Sequence, residues 1–331
     1  MSSPSPDVSI IVATRNSWSD LEACLPSVAG SGTGVCELIV IDNGSTDGTV
    51  ARLRMAHPAA TVIENASNLG HCRAINQGLR VASGEFVLVL DADTIFWPGA
   101  IDRLVAFLRR HPEAAIVAPR MLNADGSVQE TARTFPRPIN ALFGRQTILT
   151  RLLPGNRFSN GYLRRADIET TEPFAVDWVS AACMLFRRSL VDRIGLWDEG
   201  FGGYWVDADW CRRAQACGGI FCEPAARVTH AEQNRSGRKK SAGRIVQFHA
   251  GANRLYRKHY TWGAWDPRAL ATAALLAGRA AVLVLANAVR RAEPAAPEFA
   301  PRVASGFGRT MAVRPSEQLN PSASETGASH R

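Results

Sequence analysis

The most informative stretch of the chain is FVLVLDAD, residues 86–93, in which five apolar residues run directly into Asp91 and Asp93. A short unbroken apolar run is typical of a strand that is buried on both faces of a parallel sheet. Open α/β sheets bind ligands beyond the carboxyl ends of such strands. Because alternate strand residues point to the same side, the two carboxylates are expected to lie together at that end.

Two converging carboxylates suit a hard cation, Mg²⁺ or Mn²⁺, which prefers oxygen ligands and often accompanies a substrate phosphate. The alternative for Asp91 and Asp93 is an ordinary solvated turn, where Asp is common. The choice between the two therefore depends on whether the rest of the chain supplies a site for a nucleotide.

Size and composition are those of a globular protein with a basic surface. The 331 residues, of which 46% are hydrophobic, are enough for one large α/β domain with an appendage or for two domains. A net charge of +8 indicates an acidic partner: nucleic acid, anionic lipid or a phosphorylated substrate. The seven cysteines form no CxxC pair, which favours a reducing compartment over a disulfide scaffold or zinc module. The short polar start predicts no secretory signal.

Strands alternate with helices over the first 120 residues, which predicts right-handed βαβ units and a parallel sheet. Three of the predicted strands end in polar or acidic residues. Parallel strands share one edge at their carboxyl ends, so these residues are expected to lie side by side. They are Thr14-Arg15-Asn16 after strand 8–13, Asp42 after strand 37–41, and Asp91 with Asp93 after strand 86–90.

Each polar residue at that edge is a candidate for a different part of a nucleotide. Asp42 is a candidate acceptor for a pyrimidine N–H, Asp91 for a ribose or base, and Asp93 for a metal that bridges a diphosphate. Arg15 and Arg73 are candidate diphosphate partners. For any one of these residues, helix capping or a surface ion pair is the competing interpretation.

The pattern changes after residue 120. Residues 130–175 are rich in Arg, Pro and Gly and predict a long loop with a short helix near 140–152, a lid on the acceptor side. The later elements predicted are a strand over 177–187, a helix over 207–217, and short strands at 220–222 and 226–229 that end at His230.

Six motifs occur in a fixed order along the chain. They are VSIIVATRN (8–16), ELIVIDNGSTDGT (37–49), NLGHCRAINQGL (68–79), GEFVLVLDADT (84–94), VSAACMLFRR (179–188) and GLWDEGFGGYWVDADWCRRA (195–214). This set resembles family 2 glycosyltransferases with the GT-A fold, a Rossmann-like mixed α/β sheet, and the rhamnosyltransferase-like branch most of all. The resemblance extends over residues 7–260 and implies an inverting transferase that uses a nucleotide-diphosphate sugar and a divalent metal.

The resemblance also implies roles for individual residues. Asp91 and Asp93 match the family's DxD motif, with Asp93 the metal ligand. A late His touches the metal or the diphosphate in many GT-A enzymes, which makes His230 a second candidate ligand; a structural His is the alternative. The positions that match donor contacts are Ala13, Arg15, Asp42, Asn68, Gly70, Arg73, Asn76 and Asp91.

The family's general base lies in an E-D-x-D-L motif, which reads V-D-A-D-W at residues 206–210. Val206 replaces the first acid, and Asp207 aligns with the base that takes a proton from the acceptor hydroxyl. The departure puts the acceptor geometry in doubt more than catalysis. Candidate acceptor contacts are Trp178, Ala182, Tyr204, Trp205 and Asp209. The alternatives are core packing for Tyr204 and Trp205, and helix capping or pairing with Arg212 or Arg213 for Asp209.

Ala269 to Val289 is an apolar run that is long enough to cross a membrane, but Arg279 lies in its middle. Arg257-Lys258 before it and Arg290-Arg291 after it suit an anionic surface. An interfacial helix on the inner face of the membrane is the preferred interpretation, and a packed core or dimer helix is the alternative.

The predicted organisation has four parts. These are a disordered N-terminus (1–7), a GT-A domain (8–260) with a nucleotide-sugar half (8–120) and an acceptor half (121–260), an apolar and basic helix (261–292), and a disordered tail (293–331).

The predicted function is an inverting, metal-dependent glycosyltransferase, cytoplasmic or peripheral on the inner membrane face. It would move a sugar, with a deoxysugar such as rhamnose favoured, from a dTDP- or UDP-sugar to a saccharide or lipid-linked saccharide for cell-surface polysaccharide. The alternative is an inactive binding or regulatory protein on the same fold, which the Val206 departure favours. A nucleotidyltransferase would need a Gly-rich basic loop after the first strand, and ATRNS (13–17) is not such a loop. Nucleic-acid binding, which the net charge would allow, has no supporting motif.

Overall fold

The structure of the protein is a computed structural model that describes residues 6–137, 140, 148–164, 167–231, 241–263 and 265–289. The predictions for residues 1–5 and for the tail 293–331 lie outside these residues, as does Arg290-Arg291. Asp7, in the predicted disordered N-terminus, is held in place: its carboxylate accepts hydrogen bonds from the Val35 amide (3.1 Å) and from Arg109 (2.8 Å).

One mixed sheet contains the nine strands that the described residues form. They are β1 (Val8–Thr14), β2 (Cys36–Asp42), β3 (Thr61–Glu64), β4 (Phe86–Asp91), β5 (Thr94–Phe96), β6 (Ala114–Leu122), β7 (Phe174–Val176), β8 (Cys183–Arg187) and β9 (Gly219–His230). Their order is β3-β2-β1-β4-β8-β6-β9-β5, with β7 paired to β9. The first four are parallel and β8 runs antiparallel to both neighbours, so the mixed α/β sheet that the resemblance implies is confirmed.

Ten helices are seen in the described part of the chain. They are α1 (Trp18–Ala29), α2 (Thr49–Ala56), α3 (His71–Val81), α4 (Ala100–Arg110), α5 (Ile148–Leu152), α6 (Arg157–Tyr162), α7 (Ser189–Ile194), α8 (Val206–Ala214), α9 (Ala242–Tyr260) and α10 (Pro267–Val289). The short helix predicted near 140–152 corresponds to α5, and residues 141–147 lie outside the described part.

Helices cover both faces of the sheet because its central strands are apolar on both sides. Ile10 and Ile11 of β1 point to opposite faces and belong to two separate hydrophobic clusters. Leu21 of α1 and Leu104 of α4 fill the cluster on one face, and Ile75 of α3 belongs to the cluster on the other. The fold is therefore a three-layer α/β sandwich.

Two strand predictions in the second half differ from the structure. Within the predicted strand 177–187, only Cys183–Arg187 forms a strand. The residues before Cys183 are irregular and end in a turn. The two short strands predicted at 220–222 and 226–229 are one strand, β9, whose pairing with β6 shifts register between Glu223 and Arg227. Pro224 lies within the shift and has no N–H to donate to the ladder, so a bulge replaces a break.

The sheet register brings distant polar residues to one edge. Thr14 pairs with Asp42 across β1 and β2, and Ala13 pairs with Asp91 across β1 and β4. The antiparallel pairing of β5 with β9 sets Thr94 opposite His230. The prediction that polar strand ends meet is therefore confirmed at the level of the backbone.

The last two described helices pack against each other. The Ser241 hydroxyl caps α9 by accepting a hydrogen bond from the Arg244 amide (3.3 Å). Asp266 caps α10 in the same way, with its Oδ1 2.9 Å from the Arg268 amide, and Pro267 follows at the first helical position, where a missing N–H costs nothing. By length and composition, the segment Pro267–Ala288 is long and apolar enough to cross a membrane.

Candidate active site

Three side chains that are far apart in sequence could hold a single metal ion. One ligand atom from each of Asp91, Asp93 and His230 lies within 4.8 Å of the other two. His230 Nε2 is 3.3 Å from an Asp93 oxygen and 3.7 Å from an Asp91 oxygen. Two carboxylates and one imidazole are a donor set that suits a divalent cation such as Mn²⁺, and the carboxylates alone suit Mg²⁺. The residues present therefore fit the metal that the sequence predicts.

Backbone hydrogen bonds fix the turn that carries the two acids. β4 ends at Asp91, and the Thr94 hydroxyl donates to the Asp91 carbonyl (2.8 Å). The Ala231 amide donates to the Asp93 carbonyl (3.0 Å) immediately after His230. Both sides of the metal group are thus tied to the β5–β9 ladder, which holds the carboxylates and the imidazole near each other.

The sequence analysis missed Gln129, which orients His230. Both side chains are buried, and Gln129 Oε1 is 3.0 Å from His230 Nδ1. An amide oxygen can only accept, so Nδ1 carries the proton and the Nε2 lone pair faces the two carboxylates. This is the tautomer that metal ligation requires. No local pattern singles out Gln129, because the two residues are 101 positions apart.

Two buried polar atoms at the edge of β1 and β2 make no hydrogen bond within the described structure. They are Asp42 Oδ1 and Thr14 Oγ1. The other Asp42 oxygen, Oδ2, accepts from the Ser45 amide (2.9 Å). Buried polar atoms are almost always paired, so an unpaired acceptor here is suited to a ligand N–H. Ala13, the residue before Thr14, is half-buried, and Arg15, the residue after it, is exposed.

The loop with Asn68 and Gly70 is held against the same edge by Asn43. The Asn43 amide nitrogen donates to Asn68 Oδ1 (3.1 Å) and to the Gly70 carbonyl (3.3 Å), and Asn43 Oδ1 accepts from Leu69 N (3.0 Å). Gly44 makes the approach possible, because a Cβ on its backbone would lie 2.9 Å from the next loop's Ser67 Cα. The structure therefore brings both predicted donor residues of this loop to the Asp42 edge.

Arg73 and Asn76 make a different contact from the predicted one. Asn76 is buried, and its amide is shared between the Trp197 backbone (2.9 and 3.0 Å) and Glu199 (3.0 Å). Arg73 Nε is 3.0 Å from the other Glu199 oxygen. Asn76 therefore holds the 197–199 segment instead of facing the donor edge, since both ends of its amide are occupied. Arg73 remains more than half exposed.

The candidate base, Asp207, lies in the first turn of α8. Its Oδ1 accepts from the Ala208 amide (2.9 Å) and its Oδ2 from the Ala181 amide (3.4 Å). Burial raises the pKa of the Asp207 carboxyl, and the backbone N–H of Ala208 and the positive charge of Arg133 offset only part of the rise. A carboxylate with a raised pKa is a better proton acceptor than a carboxylate with an ordinary pKa.

A short link joins the candidate base to the metal group. The Ala182 carbonyl accepts from the Asp91 amide (3.0 Å), while the preceding residue, Ala181, donates to Asp207. Two consecutive residues with small side chains, Ala181 and Ala182, therefore connect the metal group to the candidate base. This short link ties the position of Asp207 to that of the strand that carries Asp91.

The predicted acceptor residues divide into two groups. Trp178 is buried, with its Nε1 donating to the Thr134 carbonyl (2.9 Å) and the Arg133 guanidinium 4.8 Å above its ring. Trp205 and Tyr204 are half-buried beside Phe248, with Trp205 Nε1 donating to the Phe248 carbonyl (3.0 Å). Trp178 is thus a buried residue covered by Arg133, whereas Tyr204 and Trp205 keep part of their surface exposed.

Asp209 faces away from the site. It is fully buried, and its carboxylate pairs with Arg213 (3.1 Å), Lys258 (2.8 Å) and His259 (2.7 Å). A side chain two residues further along a helix than Asp207 points roughly to the opposite side, which explains the difference. The alternative of pairing with Arg213 is therefore what the structure shows, and the predicted contact of Asp209 with the acceptor is not.

The fold and the site together define a class of protein: a GT-A glycosyltransferase, with a mixed sheet whose strand ends carry an Asp-x-Asp metal group. A model of glycosyl transferase family 2 matches residues 9–195, more than half of the chain. The chain belongs to this family. Relatives agree with the assignment, and solved structures share the fold.

Among the relatives is the N-acetylglucosaminyl-diphospho-decaprenol L-rhamnosyltransferase of Mycobacterium tuberculosis, which is 28% identical over 265 residues, 76% of this chain and 85% of that protein. A hexosyltransferase of low-salt glycan biosynthesis from Haloferax volcanii is 28% identical over 214 residues, 63% of this chain and 62% of that protein. The first match confirms the rhamnosyltransferase-like resemblance.

Two solved structures share the fold. One is GalNAc-T7 with UDP, GalNAc and Mn²⁺, at a TM-score of 0.55 and 16% identity, covering 77% of this chain and 51% of that one. The other is the mannosyltransferase PcManGT of Pyrobaculum calidifontis with GDP-Man and Mn²⁺, at 0.52 and 20%, covering 88% and 77%. This chain thus spans about half the length of the first. At these identities the likeness shows the fold alone.

Proposed function

We propose that the chain is an inverting glycosyltransferase that moves a sugar from a nucleotide-diphosphate donor to a hydroxyl of a saccharide. The observation that carries the proposal is the link between the two halves of the site. The Asp91 amide donates to the Ala182 carbonyl and the Asp207 carboxylate accepts from the Ala181 amide, so two consecutive residues link the cation ligands to the proton acceptor. Inversion needs this arrangement, because the acceptor hydroxyl attacks from the face opposite the leaving group.

In the proposed mechanism, Asp207 takes the proton from the acceptor hydroxyl as the hydroxyl attacks the anomeric carbon. A divalent cation held by Asp91, Asp93 and His230 would neutralise charge on the departing nucleoside diphosphate. Gln129 keeps the His230 lone pair directed at the carboxylates. Asp207 acts as the base in its ionised, carboxylate form.

The donor site proposed for the nucleoside is the edge formed by Thr14 and Asp42. The unpaired Asp42 Oδ1 would accept the N–H of a pyrimidine base, which supports a dTDP- or UDP-sugar. The mycobacterial relative is a rhamnosyltransferase by name, which supports a deoxysugar donor. Asn68, Gly70, Arg15 and Arg73 stay proposed donor contacts.

The acceptor proposed is a saccharide or a lipid-linked saccharide used for cell-surface polysaccharide, with the enzyme at the inner face of the membrane. The relative's name specifies a decaprenol-linked substrate, and Tyr204 and Trp205 offer half-exposed rings of the kind on which sugars stack. The apolar helix α10 supports the membrane location.

A thermal-shift screen of nucleotide-sugars tests the proposal most economically. A donor that binds only the folded state raises the melting temperature, and here the rise should require Mg²⁺ or Mn²⁺. The preferred donor should then be hydrolysed slowly in the presence of the metal. If no nucleotide-sugar raises the melting temperature with either metal, the proposed donor site is wrong.

One observation bears on the alternative, an inactive protein on the same fold. Val206 replaces the family's first acid and is buried in the apolar cluster of α8. The substitution therefore exchanges a charged group for a packed one and leaves the Asp207 hydrogen bonds intact. Donor binding without any hydrolysis or transfer would favour the inactive alternative.

A further inference from the structure

Helix α10 exposes an apolar surface from Leu270 to Ala288. From Ala269 to Ala288, every side chain that is exposed is Ala, Gly, Leu or Val. The polar residues in that span, Thr272, Arg279 and Asn287, are all half-buried. A surface helix of a water-soluble protein has the opposite arrangement, with its polar side outward. Contiguous exposed apolar surface of this extent marks a surface that is covered in use.

Arg279, the residue that interrupts the apolar run, does not interrupt this surface. Its Nη1 lies 2.9 Å from His249 Nε2 on α9. The other His249 nitrogen, Nδ1, is 2.7 Å from the Ile245 carbonyl, which can only accept, so Nε2 carries the lone pair that receives the Arg279 proton. The guanidinium is therefore turned inward, against α9, and the outward side of α10 stays free of charge.

The surroundings of α10 indicate what covers it. Trp262 and Trp265, just before the helix, are 75% and 89% exposed. Tryptophan prefers the membrane–water interface, where its ring is apolar and its N–H is hydrated. Arg257, in the last turn of α9, is exposed and forms no ion pair with another described residue. Free positive charge beside an apolar surface is complementary to anionic lipid headgroups.

The packing of α10 on α9 decides between crossing a membrane and lying in it. The Arg279–His249 contact lies near the middle of both helices, so α9 runs alongside α10. A spanning α10 would carry the charged residues of α9 into the hydrocarbon, which is costly. A helix that lies in the plane of the interface buries only its outward side.

We propose that the outward side of α10 inserts into the anionic leaflet of a bilayer, in the plane of the membrane, while Arg279 and its neighbours stay on the protein side. The surface is called here the α10 face and consists of the exposed residues between Leu270 and Leu285. The inference deepens the proposed function, since it rests on that function for the lipid-linked acceptor, but lipid binding itself does not depend on transfer. The tryptophans before α10 and Arg257 at the end of α9 reach the headgroup layer.

Sedimentation of the full chain with vesicles tests the proposal without any substrate. The double variant Val282→Asp and Leu285→Asp places charge on the two positions that are 64% and 66% exposed, where no described contact is lost. With vesicles of phosphatidylcholine and phosphatidylglycerol, the lipid concentration for half-binding should rise by about tenfold or more. Pure phosphatidylcholine should bind the wild-type chain more weakly, since the headgroup attraction is lost.

The matched control is Met55→Asp on α2, an apolar residue that is 85% exposed and belongs to the nucleotide-sugar half. It should bind vesicles as the wild type does. All variants should share the wild-type melting temperature, which shows that they fold. Trp262→Phe with Trp265→Phe should abolish most of the blue shift in tryptophan emission on vesicle addition.

The proposal is overturned if the double aspartate variant sediments with vesicles as the wild type does. It is also overturned if light scattering finds a dimer that the same variant dissociates while vesicles bind neither protein, because a second copy then covers the α10 face. Loss of vesicle binding with unchanged metal-dependent donor hydrolysis supports it. Failure of donor hydrolysis in every variant would count against the proposed function and not against the α10 face.

Discussion

Opposing electrostatic effects act on the pKa of the Asp207 carboxyl. Burial raises its pKa, and the backbone N–H of Ala208 with the Arg133 charge lowers it by a smaller amount. The sequence indicates the base through its motif, but Arg133 has no motif and lies 74 positions before it. Its guanidinium also stacks on Trp178 at 4.8 Å. Arg133 therefore contacts Trp178 and also acts electrostatically on the proposed base, Asp207.

Arg133→Gln should move the acid limb of the pH–rate profile to higher pH. Asp207 acts as a base only when ionised, so the rate rises with pH through its pKa. Loss of the nearby positive charge raises that pKa further. Arg133→Lys keeps the charge and should leave the limb near its wild-type position. The profile of kcat/KM for donor and acceptor measures both, and an unmoved limb in the glutamine variant contradicts the argument.

Gln129→Leu should weaken metal binding because it leaves the His230 tautomer unspecified. Partners that orient a metal-binding His typically contribute about 10- to 100-fold to metal affinity. Titration with Mn²⁺, followed by the electron paramagnetic resonance signal of the free ion, gives the affinity without any turnover. Gln129→Glu retains an acceptor for Nδ1–H and should bind Mn²⁺ within a few-fold of the wild type. Equal affinity in the leucine variant would show that Gln129 only packs.

At the scale of elements, α9 clamps two parts of the site. Asp198, in the segment before α8, pairs with Arg254 (2.9 Å) and Lys258 (2.8 Å) of α9. Lys258 also reaches Asp209 within α8 (2.8 Å), together with His259. The helix that carries the proposed base is therefore held by a helix about 50 residues later in the chain.

Asp198→Asn should destabilise the fold at neutral pH. Burial alone would raise the Asp198 pKa, but hydrogen bonds from Lys258, the Gly200 amide and Arg254 outweigh it and lower the pKa to about 2. A lowered folded-state pKa adds stability that is present above the unfolded-state pKa and is lost as pH falls toward 2. Because the pair is partly exposed and solvent screens it, the expected loss at pH 7 is about 1 kcal/mol.

Urea unfolding at a series of pH values measures this difference. The gap between wild type and Asp198→Asn should narrow below pH ~4 and vanish as Asp198 protonates. The control is Asp192→Asn, which removes an exposed ion pair with Arg188 and should cost no more than about 0.5 kcal/mol. A gap that is independent of pH would mean that the clamp acts through packing alone.

The elements also show how far the sequence predicts the structure. The strands of the first half and their polar ends follow from apolar runs and turn residues, which are local signals. Other features do not follow from local signals, because each depends on partners that are distant in the chain. They are the irregular conformation of residues 177–182, the single strand β9, and the contacts of Asn76 and Asp209. Asn76 meets Trp197 across 121 positions. No period of two or 3.6 residues encodes such a contact.

At the scale of the whole molecule, the structure shows where some of the positively charged side chains lie. Arg254 and Lys258 form ion pairs that hold α9 against the domain. Arg244 and Arg257 are exposed and remain available to an acidic partner. The sequence predicts the apolar helix from its length, but not the inward direction of Arg279, which only the packing on α9 determines. The donor edge and the α10 face are therefore the two proposed places at which this protein meets phosphate groups, one on the nucleotide and one on the lipid.

The most direct measurement of the central claim compares the wild type with Asp207→Asn in the release of nucleoside diphosphate from the donor that the screen identifies, with and without Mn²⁺. The wild type should release product only with the metal. Asp207→Asn should bind the donor with the same affinity, because Asp207 lies across the site from the donor edge, and should turn over about 100-fold or more slowly. Unchanged turnover in Asp207→Asn, or wild-type turnover that survives removal of the metal by a chelator, would contradict the account.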